Sequence, residues 1–269
     1  MSWWGKFLGG AVGLSFGGPL GLLIGGILGH KFVDKPIQQG LGQGVDNELT
    51  QAAFFSATFS IMGHIAKADG RVSENEIAMA RQIMDHMKLQ GEQKQAAIDL
   101  FNQGKSSGFD LEGVLSQFKQ VAGRRTTLLQ MFLEIQLHAA YADGKMDTSE
   151  RDIIFKIAHY LGFSSQHVEQ LSALVRSSLG MGRNRYNFGQ GETYKSDKDL
   201  LKEAYEMLGA NAAMSDAEVK KTYRRLMNQH HPDKLVSKGL PEEMIQIATE
   251  KTQQIKAAYE LIKDFRKKG

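Results

Sequence analysis

The run Tyr223-Arg224-Arg225-Leu226-Met227-Asn228-Gln229-His230-His231-Pro232-Asp233-Lys234 decides how the chain is read. Together with Val219, the residues Tyr223, Leu226 and His230 recur at helical spacing, while Lys220, Lys221, Arg224, Arg225 and Asn228 fall on other faces. The spacing predicts an amphipathic helix with a basic outer side. Lys220/Arg224 and Lys221/Arg225 put like charges four residues apart, which costs roughly a few tenths of a kcal/mol each and which an acidic partner would offset. Ser215 and Glu218 have capping-box spacing at the start of this helix. Pro232 stops it, because proline lacks the N–H and drives His231 out of the helical region. His231, Pro232 and Asp233 are therefore expected on a bend beside a basic helix. A further helix follows Pro241, and its stripe of Met244, Ala248, Lys251, Ile255, Ala258, Tyr259 and Ile262 is suited to pack antiparallel on Val219, Tyr223 and Leu226.

These residues resemble the J domain of the DnaJ (Hsp40) family. Four pieces carry the resemblance in the family's order: Tyr205-Glu206-Met207-Leu208-Gly209, Tyr223-Arg224-Arg225-Leu226, His231-Pro232-Asp233-Lys234, and Ile255-Lys256-Ala257-Ala258-Tyr259-Glu260-Leu261-Ile262. An isolated His-Pro-Asp would carry little weight, since a proline that ends a helix beside polar neighbours arises by chance. The resemblance implies a J domain over 198–269 that binds an Hsp70, the bacterial DnaK, and stimulates its ATPase. The docking residues it implies are Lys220, Tyr223, Arg224, Arg225, His231, Pro232, Asp233 and Lys234. Two departures stand out. Asn228 occupies a position where many relatives have an apolar or basic residue, and Leu235 to Leu240 makes a longer loop than usual.

Composition bounds the rest of the chain. Its 269 residues, 42% hydrophobic and 23% charged, are ordinary for a globular protein and sufficient for two small domains. With no cysteine there are no disulfides and no thiolate zinc modules of the kind general-purpose DnaJ proteins carry, which points to a specialist. A net charge of +3 does not argue for nucleic acid, and no nucleic-acid motif accompanies it. There is no GxSxG, Walker loop or HExxH, so no enzyme is expected and no cofactor is implied.

Phe7 to Gly29 is uncharged throughout and as a helix would reach roughly 34 Å, enough to cross a bilayer core once. Trp3, Trp4, Lys6, His30, Lys31 and Lys35 bracket it as interfacial anchors would. A cleaved signal peptide is the rival reading, but the single preceding lysine and the lack of a small-residue cleavage site argue against it. Gly9, Gly13, Gly17, Gly21, Gly25 and Gly29 fall at every fourth position, a face through which two membrane helices can associate, although glycine is common in such helices anyway. A homodimer through this row is the expectation. Lys31 and Lys35 against Lys6 favour a periplasmic N-terminus, residues 1–6, and a cytoplasmic C-terminus. Residues 30–49 then read as a tether, with Gly40 to Gly44 its flexible part.

The middle of the chain repeats itself at an offset of 74 residues: Phe54 with Leu128, Ile61 with Ile135, His64 with His138, Ala68-Asp69-Gly70 with Ala142-Asp143-Gly144, Glu76 with Glu150, and Ile83 with Ile157. Each copy predicts a helix, a turn and a second helix, with two more helices between the copies near 91–103 and 110–121, so the expected class is all-α. The pattern resembles the TerB-like (tellurite-resistance) domain over residues 50–176. Asp69/Glu76 and Asp143/Glu150 could be metal ligands, but capping at Ser73…Glu76 and Asp147…Glu150 and left-handed turns at Gly70 and Gly144 explain them without an ion. No metal is expected. His64 and His138 read as satisfied buried imidazoles. Met79, Met84 and Met87 could form a peptide groove but sit at core spacing with Ile83. Residues 177–197, rich in Gly, Ser, Asn and Gln, read as a linker.

The order of membrane helix, TerB-like bundle, linker and J domain resembles the membrane-anchored DnaJ-like co-chaperones of Gram-negative bacteria. That resemblance implies recruitment of DnaK to the inner membrane and an influence on envelope and capsule signalling. The alternative is a membrane sensor or scaffold whose bundle binds an envelope signalling protein while the J domain is auxiliary.

Overall fold

The structure is a computed structural model that describes residues 18–21, 43–70, 72–141, 144–186, 197–238, 240–241 and 244–268. Among the described residues the regular elements are all helices, in accord with the all-α class: α1 Gln43–Ala66, α2 Glu74–His86, α3 Glu92–Gly104, α4 Leu111–Ala122, α5 Thr126–Ala140, α6 Thr148–Leu161, α7 Ser165–Tyr186, α8 Asp197–Leu208, α9 Asp216–His230, α10 Pro232–Val236 and α11 Ile245–Lys268.

Helix α1 is the axis of the first unit. Its middle, including Phe54, Phe55, Phe59 and Ile61, is buried on every side, as befits a helix without a polar face. It meets α3 closely because Gly63 and Gly104 leave room: a Cβ on Gly63 would stand 2.0 Å from the Phe101 carbonyl oxygen, and one on Gly104 would stand 1.8 Å from that of Ser60. Phe54, Phe118 and Phe132 join α1, α4 and α5, the last two rings 4.8 Å apart.

The two repeats are built alike at their turns. Ser73 and Glu76 cap α2 reciprocally, and Asp147 and Glu150 do the same for α6. Gly70 and Gly144 both take positive φ, 90° and 92°, a conformation open to glycine at little cost. Asp143 lies outside the described residues.

A second apolar cluster joins α8, α9 and α11 through Ala204, Met207, Leu208, Val219, Leu226, Ile255, Ala258 and Ile262. Tyr223 stacks on Tyr259 across the α9–α11 hairpin. Arg266 closes the far end, donating to the Tyr205 hydroxyl at 2.8 Å and to Asp216 Oδ1 at 2.7 Å.

Three sequence expectations change in detail. The polar stretch beginning at Ser177 does not start as a linker: α7 continues through it to Tyr186, and Leu174 on the same helix already belongs to the second cluster. The expected loop from Leu235 to Leu240 begins later, because α10 runs from Pro232 to Val236 with Pro232 in its first turn, where its missing N–H is no loss. The stripe on α11 is divided. Ile255, Ala258 and Ile262 pack within the hairpin, whereas Met244 and Ala248 join the core of the first unit, together with Leu235 and Leu240.

Of the expected membrane span only 18–21 is described, and it forms a helical turn against α4: Leu20 is buried and its N–H donates to Gln117 Oε1 at 2.6 Å. Gly21 lies in this turn, while Gly9, Gly13, Gly17, Gly25 and Gly29 lie outside the described residues. Among the described residues no helix is long and apolar enough to cross a membrane.

Candidate functional site

The basic helix and the bend after it form one exposed surface. Ser215 starts α9 by accepting from the Glu218 N–H at 3.3 Å, while Glu218 Oε2 accepts from the Ser215 N–H at 2.7 Å. These hydroxyl and backbone donors hold the Glu218 carboxyl below its usual range. Val219, Leu226 and His230 turn inward, and Lys220, Arg224 and Arg225 are thereby left on the outside, all three exposed. Tyr223 is half-buried by its stacking on Tyr259.

The bend has its own support. His231 is extended, φ −63° and ψ 124°, the region to which a following proline confines its neighbour. Its Nδ1 accepts from the Asp233 N–H at 3.3 Å, so the imidazole caps α10 while its ring remains accessible. Asp233 and Lys234 are exposed and Pro232 is half-buried. Lys234 Nζ donates to Asn228 Oδ1. The unusual Asn228 thus ties the bend back to the helix, a role its position in the sequence did not disclose. All eight expected docking residues belong to this helix and bend, with the positive groups outermost.

Beneath the bend the chemistry is different. His230, the residue preceding the exposed His231, is 3% exposed and places Nε2 at 3.5 Å from Glu134 Oε1 on α5. Lys251 of α11, also buried, has Nζ 3.9 Å from Glu134 Oε2. Gln130 donates to Glu134 Oε1 at 2.9 Å. Burial works to raise the Glu134 carboxyl, but His230, Lys251 and Gln130 outweigh it and hold the group below its usual range. Burial pushes the His230 imidazole down against the pull of Glu134, and lowers the Lys251 ammonium likewise. Desolvation and the Lys251 charge push His138 down to about 3, so this imidazole is neutral. None of this cluster was singled out as functional from sequence, although a carboxylate in the apolar run Leu128-Leu129-Gln130-Met131-Phe132-Leu133-Glu134-Ile135 is an anomaly that could have flagged it.

The second set of carboxylates lies elsewhere, between the repeats. Burial pushes Glu150 up to about 8 against the Asp147 N–H it accepts from, with the charges of Asp147 and Glu76 adding to the rise. Glu76 and Glu150, equivalent in the duplication, are close enough to hydrogen-bond, which adds to the rise of Glu150. Among the described residues no group of three or more metal-ligating side chains comes together.

Comparison with known proteins places these features. Three family models match: Co-chaperone DjlA transmembrane domain over residues 1–51, Tellurite resistance protein TerB over 55–173, and DnaJ domain over 203–269. The chain is similar over nearly its whole length to proteins described as Co-chaperone protein DjlA. It is 46% identical to that of Vibrio cholerae, with 96% of each chain covered, and 43% identical to that of Photobacterium profundum, covering 97% of this chain and 98% of the other. The Yersinia pestis protein is 40% identical over 100% of this chain and 99% of its own. No solved structure matches.

Proposed function

Because the chain belongs to the family of DjlA co-chaperones, we propose that it recruits an Hsp70 of the DnaK type to the bacterial inner membrane and stimulates its ATPase through His231-Pro232-Asp233. The observation that carries this reading is the single exposed surface on which the capped bend adjoins Lys220, Arg224 and Arg225. The basic face attracts an acidic surface of the partner, and the bend delivers His231 and Asp233 beside it. The chain itself makes and breaks no bond in this scheme. It acts by favouring the hydrolytic state of another protein's nucleotide site.

The match of residues 1–51 to a transmembrane domain supports a single membrane anchor. The lysines flanking the apolar run orient the J domain toward the cytoplasm, where Hsp70 and ATP are found. The glycine row, Gly9 to Gly29, supports pairing of two anchors, and the TerB-like bundle is the candidate surface for a client or an envelope signalling partner.

The test is single-turnover ATP hydrolysis by DnaK with the full chain in lipid vesicles. His231→Gln leaves both apolar clusters untouched and is expected to abolish stimulation. A variant that stimulates normally would overturn the J-domain mechanism, and would favour instead a scaffold that tolerates loss of His231.

A further inference from the structure

The outward side of α5 carries Thr127, Gln130, Glu134 and His138 at successive helical turns, the pattern of a face meant for water. It is nevertheless covered. Gln130 and Glu134 are 7% and 5% exposed, and what covers this stripe is the J domain. Lys238 Nζ donates to Thr127 Oγ1 at 2.9 Å, His230 and Lys251 flank Glu134, and Gln51 Nε2 donates to the Leu240 carbonyl at 3.4 Å. Leu235 and Leu240, on the segment that departs from the usual family loop, are wholly buried in the core of the bundle.

The geometry is one-sided. His230, Leu235 and Leu240 are fastened to the bundle while His231, Asp233 and the arginines of α9 remain exposed. We infer that the polar stripe of α5 is a seat for the J domain, and that Glu134 is a positioning residue for the co-chaperone reaction, fixing the bend from beneath through His230 and Lys251. This rests on the function proposed above. It makes the bundle more than an independent module. A partner that binds the bundle and shifts α5 would alter how the bend is presented, because moving the carboxylate away takes from His230 its buried partner and leaves the buried Lys251 ammonium without its counter-charge.

The experiment compares native chain, Glu134→Gln, Glu134→Gln with Lys251→Met, and His231→Gln, each full length in lipid vesicles. Two quantities are read: amide hydrogen exchange by segment, and the co-chaperone concentration giving half-maximal DnaK ATPase. Glu134→Gln is expected to speed exchange over residues 230–251 on the order of tenfold, leaving α1 and α3 protected, and to raise the half-maximal concentration with the maximal rate retained. Removing the stranded ammonium in the double variant is expected to restore much of the protection. Unchanged exchange and half-maximal concentration in Glu134→Gln would overturn the seat. So would faster exchange spread evenly over α1 and α3, which would make Glu134 a general stability residue. If His231→Gln proves inactive while Glu134→Gln behaves as native, only this inference falls. Full stimulation by His231→Gln brings down the parent reading instead.

Discussion

Tyr223 and Tyr259 stack face to face, ring centroids 4.2 Å apart and planes 13° from parallel. The contact joins the basic helix to α11 immediately before Arg224 and Arg225 in the chain, so the basic face inherits its orientation from an aromatic pair and not from the charges themselves. Tyr223→Ala is expected to destabilise the J-domain hairpin by about 2 kcal/mol, less than a fully buried ring because Tyr223 is half-exposed. Tyr223→Phe is expected to lose little. Chemical denaturation monitored over α9 and α11 checks this, and equal stability of the alanine and native chains would contradict it.

The exposed arginines make a separable contribution. Arg224→Ala combined with Arg225→Ala should leave thermal stability nearly unchanged, because neither guanidinium is buried, yet weaken DnaK binding about fivefold at low salt and flatten its salt dependence. Binding isotherms at two ionic strengths measure both. Identical slopes for the two chains would exclude docking through this face.

Gly63, with Gly104, lies at the close crossing of α1 and α3. With a Cβ placed 2.0 Å from the Phe101 carbonyl oxygen, Gly63→Ala forces α1 and α3 apart and is expected to cost about 1–3 kcal/mol or more. Thermal unfolding would show a clear fall in midpoint. An alanine chain that melts with the native one would mean the helices have slack.

Glu150 predicts a pH dependence of stability. Its carboxyl is raised from 4.5 to about 8, first by burial and then by the charges of Asp147 and Glu76. Between those values the folded chain keeps a proton that the unfolded chain has released, so the folded state binds more protons and its stability falls as pH rises through the window. Glu150→Gln keeps the capping geometry and removes the titration. Urea midpoints from about pH 5 to about pH 8.5 should therefore fall less steeply for the glutamine chain. Parallel profiles would show that Glu150 titrates normally.

Much of the architecture was legible in the residues alone. The repeat at Ala68-Asp69-Gly70 and Ala142-Asp143-Gly144, the boxes at Ser73, Asp147 and Ser215, and the stop at Pro232 are local matters. A cap or a helix-ending proline acts within one turn, so its spacing in the chain nearly specifies its geometry. The exposure of Lys220, Arg224 and Arg225 was legible for the same reason, since helix periodicity alone puts them on the side opposite Val219 and Leu226.

What only the tertiary structure decided is which surface each buried stripe would meet. Met244 and Ala248 continue the stripe of Ile255 and Ile262, yet the first pair enters the bundle and the second the hairpin. Periodicity reports that a face is covered and is silent about the partner that covers it. Glu134 shows the converse: a carboxylate in an apolar run, at turn-by-turn spacing with Thr127 and His138, stands out in the sequence, but the groups that cover it come from a second domain. Whether a carboxylate faces water or a buried lysine depends on contacts between residues far apart in the chain, and no local pattern carries that information.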